Sequence, residues 1–119
     1  MRRQVDLLLD GHNHIYERGK QLAFSDACPR IPPGEYDPDC VVDDGSDATY
    51  AKGAGSVQIT SGRFGARPAG LDRSDPDAPY FARLADGTTG WVRYTVTPDR
   101  IDARYVGSSG TLQDAFSIQ

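Results

Sequence analysis

Gly90-Trp91-Val92-Arg93-Tyr94-Thr95-Val96-Thr97-Pro98-Asp99 is the stretch of this chain whose pattern predicts the fold most directly. Apolar and polar residues alternate up to position 97, which is the period of a β-strand with two differently exposed faces. Proline and aspartate then favour a turn, and residues 101–105 alternate again. A glycine-serine turn at 107–110 precedes the apolar positions of 112–118. Residues 90–119 therefore predict an antiparallel β-meander.

The earlier part of the chain predicts short strands separated by long irregular segments. The thirteen glycines and eight prolines of the 119 residues favour strands and turns over long helices. The apolar run Val5–Leu9 predicts a strand buried on both faces, and Ser56–Thr60 predicts another. Residues 25–55 sustain neither period and contain four prolines. We expect them to form a long surface loop near the functional site.

Composition and charge limit the classes of partner. At 119 residues the chain is one domain or part of one. Seventeen acidic against thirteen basic residues give a net charge of −4, and apart from Arg2-Arg3 the arginines are scattered singly, so no nucleic-acid-binding face is expected. The longest apolar run falls far short of the roughly 20 residues that a membrane helix needs, so no membrane partner is expected.

Cys28 and Cys40 are the only cysteines, and their spacing is not typical of a zinc or C-x-x-C redox site. They could close a loop through a disulfide in an oxidising compartment, or remain two free thiols in the cytosol. The acidic run Asp43-Asp44-Gly45-Ser46-Asp47 lacks the spacing and terminal glutamate of a calcium loop, so a solvated loop is favoured.

The two histidines of the chain lie two positions apart in Gly11-His12-Asn13-His14, directly after the first apolar run. Two neutral imidazoles separated by one residue can reach one metal ion or two neighbouring ions. A catalytic zinc needs about three protein ligands and an open position, so this pair predicts an incomplete metal site. Asn13 points away from its neighbours if the backbone stays extended, and is not expected to be a ligand.

The segment Val5-Asp6-Leu7-Leu8-Leu9-Asp10-Gly11-His12-Asn13-His14-Ile15-Tyr16-Glu17-Arg18 resembles the last conserved block of the calcineurin-like metallophosphoesterases, most closely the purple acid phosphatase branch. That block has the form hydrophobic strand, Gly-His-x-His, then an apolar or small residue and Tyr-Glu-Arg. Val57-Gln58-Ile59-Thr60-Ser61-Gly62 is similar to the strand and glycine turn that follow in the family, and residues 81–99 to its terminal strands. Only the histidine block is specific.

The resemblance implies an α/β fold of four layers, an αββα sandwich of two β-sheets flanked by helices, in which this chain is the mostly β, antiparallel C-terminal part. It also implies a two-metal site of the iron, zinc or manganese class, with His12 on one ion and His14 on the other. The implied activity is hydrolysis of a phosphoester substrate through in-line attack of metal-bound hydroxide on phosphorus. Asp10, beside the ligands, could orient an imidazole through a hydrogen bond.

The departures from the family are as informative as the match. Family members carry earlier blocks with Asp, Asn and further His ligands, and none is present here. Residues 1–119 are therefore expected to be the C-terminal part of a metallophosphoesterase catalytic domain, inactive in isolation. The expected partners are a missing N-terminal part, or another copy of the chain bound through exposed apolar surface. Arg63-Phe64 stand where relatives often have further glycine, so the pocket floor is expected to differ.

Two further interpretations stay open. Tyr16, Glu17 and Arg18 belong to the matched block, yet a buried hydrogen-bonded ring and an ion pair explain them without catalysis. The chain could also be a non-enzymatic β-rich binding or structural module, whose histidines bind an adventitious ion. The cysteine pair and the resemblance together favour a secreted or cell-envelope location.

Overall fold

Ten β-strands in three sheets form the protein in the computed structural model, which describes residues 5–119. The strands are β1 (Leu7–Asp10), β2 (Tyr16–Gly19), β3 (Gln21–Leu22), β4 (Val41–Asp43), β5 (Thr49–Tyr50), β6 (Val57–Ser61), β7 (Phe81–Ala85), β8 (Gly90–Val96), β9 (Ile101–Gly107) and β10 (Leu112–Ile118). The first sheet has the order β1-β6-β2-β7 and the second the order β5-β10-β9-β8. The strands β3 and β4 form a separate ribbon.

The four-layer αββα sandwich expected from the resemblance is wrong for this chain. Residues 5–119 contain no α-helix, and the helical segments described are two 3₁₀ helices of three residues, Pro38–Cys40 and Ala78–Tyr80. Glycines and prolines interrupt the sequence too often for an amphipathic helical period to develop. The structure is a small, mostly β domain without helical layers over its sheets.

The first sheet mixes parallel and antiparallel pairs. Strand β1 pairs with β6 in parallel, whereas β2 pairs antiparallel with both β6 and β7. Strand β1 lies at the edge of this sheet. The prediction that it is buried on both faces is wrong, because Leu8 and Leu9, on opposite faces of an extended strand, are 47% and 61% exposed. Hydrophobic periodicity predicts a strand but does not say what covers it.

The second sheet contains the meander of β8, β9 and β10, which pair antiparallel in chain order. The two-residue strand β5 adds to β10 in parallel. The two sheets pack against each other around a single core, in which the rings of Tyr16 and Tyr105 stack at 4.1 Å. The buried residues of this core are Tyr16, Tyr50, Val57, Ile59, Ala103, Tyr105, Phe116 and Ile118.

Cys28 and Cys40 form a disulfide, which resolves the two alternatives left by the sequence. Both cysteines are fully buried, together with Tyr80, in a second apolar cluster outside the main core. Leu22, Ile31 and Val41 pack against this cluster. The disulfide therefore closes the loop between β3 and β4, and the cluster packs this loop against Tyr80, directly before β7.

Candidate metal site at the histidine turn

The histidine turn, residues 11–14, follows the carboxyl end of β1. His12 has a backbone φ of 69°, a left-handed conformation that residues other than glycine adopt uncommonly. This conformation costs roughly 1–2 kcal/mol, so the surrounding hydrogen bonds must hold it. The Asp10 carboxylate accepts from Gly11 N at 2.7 Å, and Asn13 N donates to Gly11 O at 2.8 Å. Strained residues of this kind cluster at functional sites.

Both imidazoles are exposed at the surface, where an ion can reach them. The Nδ1 atom of His14 lies 2.8 Å from the carbonyl oxygen of Arg67. A carbonyl oxygen only accepts, so Nδ1 carries the proton in this hydrogen bond. In the neutral ring the Nε2 atom is then left with a free lone pair. This arrangement, with one ring nitrogen donating to a backbone carbonyl, is typical of metal-binding histidines.

A second segment, residues 62–69, braces the histidine turn. Gly62 N donates to Ile15 O at 3.1 Å, and Ala69 N donates to His14 O at 3.4 Å. A Cβ atom at position 62 would overlap the carbonyl oxygen of Asn13, so this close approach requires glycine. Sequence reasoning identified the glycine turn after β6 but not the Arg67 carbonyl, because a backbone contact across 53 residues leaves no local pattern.

An acidic cleft of about 390 Å³ opens beside the histidine turn, over the first sheet. Asp10, Thr60 and Glu17 form one row across its floor, since Asp10 pairs with Thr60 and Thr60 pairs with Glu17. Asn13 lines the cleft, whereas His12 and His14 are not among its lining residues. The other carboxylates of the lining are Asp72, Asp75 and Asp77, which the sequence did not single out. Each of these three accepts a backbone N–H within the loops.

Glu17, on β2, is a half-buried carboxylate of this cleft. Burial raises the pKa of its carboxyl, a hydrogen bond with Thr60 lowers it, and the nearby Asp75 and Asp10 raise it. The folded state therefore binds the Glu17 proton more tightly than the unfolded chain does. This tighter binding contributes to the free energy of unfolding. The contribution is fully present below the pKa that Glu17 has in the unfolded chain, and it is lost as the pH rises through the higher pKa of the folded state.

Replacing Glu17 with glutamine is expected to raise the thermal midpoint at pH 7 and to leave it nearly unchanged below about pH 4. The amide removes the half-buried charge yet retains a partner for Thr60. Thermal unfolding of both proteins between pH 3 and pH 8 measures the difference. A variant that is less stable than the parent at pH 7 would show that the ionised Glu17 carboxylate has a favourable partner, contrary to the assigned cause.

Residues 5–119 do not bring a third ligand to the two imidazoles. Among them, the one group of three histidine, cysteine or acidic side chains whose donor atoms lie within 4.8 Å of one another is Cys28, Asp37 and Cys40. Its two sulfurs are joined in the disulfide, so they are not available as thiolate ligands. The histidine turn offers two imidazoles as candidate ligands, and Asp10, bonded to Gly11 N, lies directly before them.

Tyr16, Arg18 and the acidic run make hydrogen bonds within the fold, with partners other than the histidines. Arg18 is buried, and its guanidinium donates from Nε to Asp114 at 2.8 Å. The Tyr16 hydroxyl donates to the same carboxylate at 2.7 Å. In the acidic run, Asp43 and Asp44 each accept the backbone N–H two residues further on, as turn residues do.

No helix within the described part of the chain is long and apolar enough to cross a membrane. Comparison with protein-family models, with curated proteins and with solved structures finds no match for this chain.

Proposed function

We propose that this chain supplies the two-histidine turn of a metal-dependent phosphoester hydrolase of the calcineurin-like, purple acid phosphatase-like class. The observation that carries the proposal is the state of His14, whose Nδ1 is bound to a backbone carbonyl while the exposed ring leaves Nε2 free for an ion. His12 lies two residues away, exposed and in a strained conformation. A surface turn without a binding role has no evident need for this combination.

The donor set fits part of a two-metal centre of the iron, zinc or manganese class. His12 would hold one ion and His14 the other, while Asp10 shapes the turn through its bond to Gly11 N. Two ions bound here would lower the pKa of coordinated water and stabilise the attacking and leaving oxygens of a phosphoester. The chain's own contribution is to fix two imidazoles at the carboxyl end of β1, where open sheets commonly bind ligands.

The ligands still needed are proposed to come from polypeptide that packs beside β1. This edge strand leads directly into the histidine turn, and its Leu8 and Leu9 are exposed. An apolar groove of about 750 Å³ on the Leu8 face adds Phe24 and Phe81 to this uncovered surface. A strand added parallel to β1 would end beside His12. An N-terminal polypeptide carrying Asp, Asn and His ligands fits this role, and self-association through the same edge is the other expected partner.

A non-enzymatic β-rich module remains the second candidate function. The observation that favours it is the absence, within residues 5–119, of a third ligand near the imidazoles. In this case the histidines would bind an ion weakly and no phosphoester would be hydrolysed.

The first test uses zinc ions bound to a chelating resin, so that the chelator supplies the metal ligands that this chain lacks. The chain is expected to bind a zinc–iminodiacetate resin. Replacement of His12 or His14 with alanine should shift its elution to lower imidazole concentration, and the double variant should not be retained. Asn13→Ala, which lies between the two positions, is the matched control and should elute like the parent. Retention of the double variant equal to that of the parent would contradict a metal site at this turn.

The second test separates the two candidate functions and uses the polypeptide that supplies the other ligands. In the complex of this chain with that polypeptide, His12→Ala and His14→Ala are each expected to lower kcat/KM for p-nitrophenyl phosphate by at least about 100-fold. Loss of a residue that only hydrogen-bonds to a metal ligand already costs about 10- to 100-fold in metal affinity or activity. Metal content should fall below two ions per molecule, and Asn13→Ala should stay within about threefold of the parent. Metal binding without hydrolysis would favour the non-enzymatic module.

A further inference from the structure

The disulfide lies against two oxygen atoms of its own loop. One carboxylate oxygen of Asp37 lies within 4.8 Å of the Sγ atoms of both Cys28 and Cys40. The carbonyl oxygen of Arg30 lies 3.5 Å from the Cys28 sulfur and 3.7 Å from the Cys40 sulfur. A disulfide sulfur has no hydrogen to donate, so neither oxygen receives a hydrogen bond from the sulfurs in this state. Two sulfurs and two oxygens with lone pairs therefore converge on one small region.

The spacing of the cysteines does not indicate this group. They are 12 positions apart, whereas zinc-binding cysteines commonly come in pairs separated by about two to four residues. Asp37 lies inside the loop that the cysteines close, and it caps the 3₁₀ helix Pro38–Cys40 by accepting from Asp39 N at 3.0 Å. This single helical turn brings the Asp37 carboxylate back beside Cys40.

Backbone hydrogen bonds that reduction does not remove also hold this group. Asp37 N donates to the Tyr80 hydroxyl at 2.8 Å, and Cys40 O accepts from Ala23 N at 3.1 Å. Cys28 packs in the same apolar cluster as Tyr80. Reduction loosens the loop, but in the folded, reduced chain these contacts keep the two sulfurs and the carboxylate as neighbours.

We propose that reduction of this disulfide creates a zinc site, in which the Cys28 and Cys40 thiolates and the Asp37 carboxylate bind the ion and water fills the fourth position. The site is independent of the histidine turn and of the proposed hydrolase. Thiolate ligands favour zinc over magnesium or calcium, and three protein ligands with one open position are a common zinc coordination. A tetrahedral zinc ion holds its ligand atoms about 3.3–3.8 Å apart, so the Asp37 oxygen needs to move by no more than about 1.5 Å.

The reductant required is a dithiol. Its two thiols supply two electrons and two protons, so that the bond between Cys28 and Cys40 breaks, each sulfur becomes a thiol, and the reductant closes its own disulfide. Zinc then displaces both thiol protons into solvent, with no further change in oxidation state. Reoxidation of the two sulfurs releases the ion. The loop is thus constrained by a covalent bond in one redox state and by a bound ion in the other.

Cobalt(II) tests the site directly, because it occupies zinc sites and its bonds to thiolates absorb in the near ultraviolet. The chain, reduced with dithiothreitol and then freed of it under nitrogen, should develop this charge-transfer band at one cobalt per chain, and zinc should abolish the band. The oxidised chain should not develop it. The absence of the band from the reduced chain would overturn the proposal.

A pair of aspartate variants shows whether the folded loop forms the site. Asp37→Asn retains the helix cap but should weaken cobalt binding at least about 10-fold, since loss of a residue that only hydrogen-bonds to a ligand already costs that much. Asp39→Asn removes an exposed carboxylate two positions away and should bind cobalt like the parent. Equal affinities of the two variants would show that the thiols bind cobalt without Asp37, and would overturn the proposed site.

Zinc should also restore stability that reduction removes. This test uses the variant His12→Ala/His14→Ala, so that zinc at the histidine turn does not contribute. Zinc should raise the thermal midpoint of the reduced variant in proportion to the logarithm of its concentration, leave the oxidised variant unchanged, and slow the reaction of both thiols with N-ethylmaleimide. An equal shift in both redox states, or thiols that react equally fast with and without zinc, would contradict a site at these cysteines. Either result would leave the proposed hydrolase standing, because its histidines are absent from the variant.

Discussion

Replacement of Asp114 with alanine is expected to lower the free energy of unfolding by about 3–5 kcal/mol, because it leaves the buried Arg18 guanidinium without its counterion. The side chains of Arg18 and Asp114 are 6% and 9% exposed, and their closest nitrogen and oxygen lie 2.8 Å apart. The variant also removes the acceptor of the Tyr16 hydroxyl. Denaturant titration followed by circular dichroism measures the loss as a lower midpoint.

Two controls distinguish a buried pair from a general loss of charge. Asp102→Ala breaks the pair with Arg100, whose side chains are nearly half exposed, and should leave the midpoint unchanged. The double variant Arg18→Met/Asp114→Leu should recover much of the stability, because an apolar pair of similar volume removes the uncompensated charge. A midpoint for Asp114→Ala equal to that of Asp102→Ala would contradict the role assigned to the buried pair.

This buried pair connects the two sheets directly after the histidine turn. Burial, followed by the neighbouring Asp114, raises the pKa of Tyr16, so its hydroxyl stays protonated and donates. The Arg18 guanidinium also donates to the Tyr50 hydroxyl at 2.6 Å, which in turn donates to Gly19 O at 2.9 Å. These bonds tie β2, in the first sheet, to both β5 and β10 of the second. Since β2 begins two residues after His14, they hold one side of the histidine turn in place.

The alternation of apolar and polar residues predicted those strands whose two faces differ in exposure. The alternation from Val92 to Val96 and from residue 101 to 105 reflects one covered and one open face, and the structure has strands β8 and β9 there. The covering of a strand depends on distant residues, which explains why β1 was expected to be buried although it lies at an edge. Strand β5 has two residues and pairs in parallel with β10, almost 70 positions later, which no periodicity can indicate.

The sequence likewise predicted only part of the candidate site. The Gly-His-x-His pattern identified both imidazoles, because ligand type and spacing are visible in the sequence. The carbonyl of Arg67 reaches the site only through the fold. The carboxylates of the acidic cleft come from β1, β2 and a loop near residue 75, so their common location appears only when the sheet is assembled. The expected αββα architecture came from the resemblance alone, and no alternation or helical period supported its helices.

Removal of the disulfide is expected to lower the free energy of unfolding by about 3 kcal/mol, because Cys28 and Cys40 are 12 positions apart and the bond restricts this loop in the unfolded chain. The measurement compares denaturant midpoints of the parent, the reduced parent and the variant Cys28→Ala/Cys40→Ala. Reduction should reproduce most of the effect of the double variant, while a shift seen only in the variant would indicate lost packing in the second apolar cluster.

Amide exchange after reduction of the disulfide tells whether this cluster unfolds separately from the two packed sheets. Both sulfurs lie beside Tyr80, whose hydroxyl donates to Glu35 O and accepts from Asp37 N, so the loop before β4 depends on the bond. The main core shares none of these residues. After reduction, amide exchange should therefore accelerate first in residues 25–40, before it does in β9 and β10. Equal acceleration in both regions would show one cooperative unit, and the histidine turn would then lose its order together with the loop.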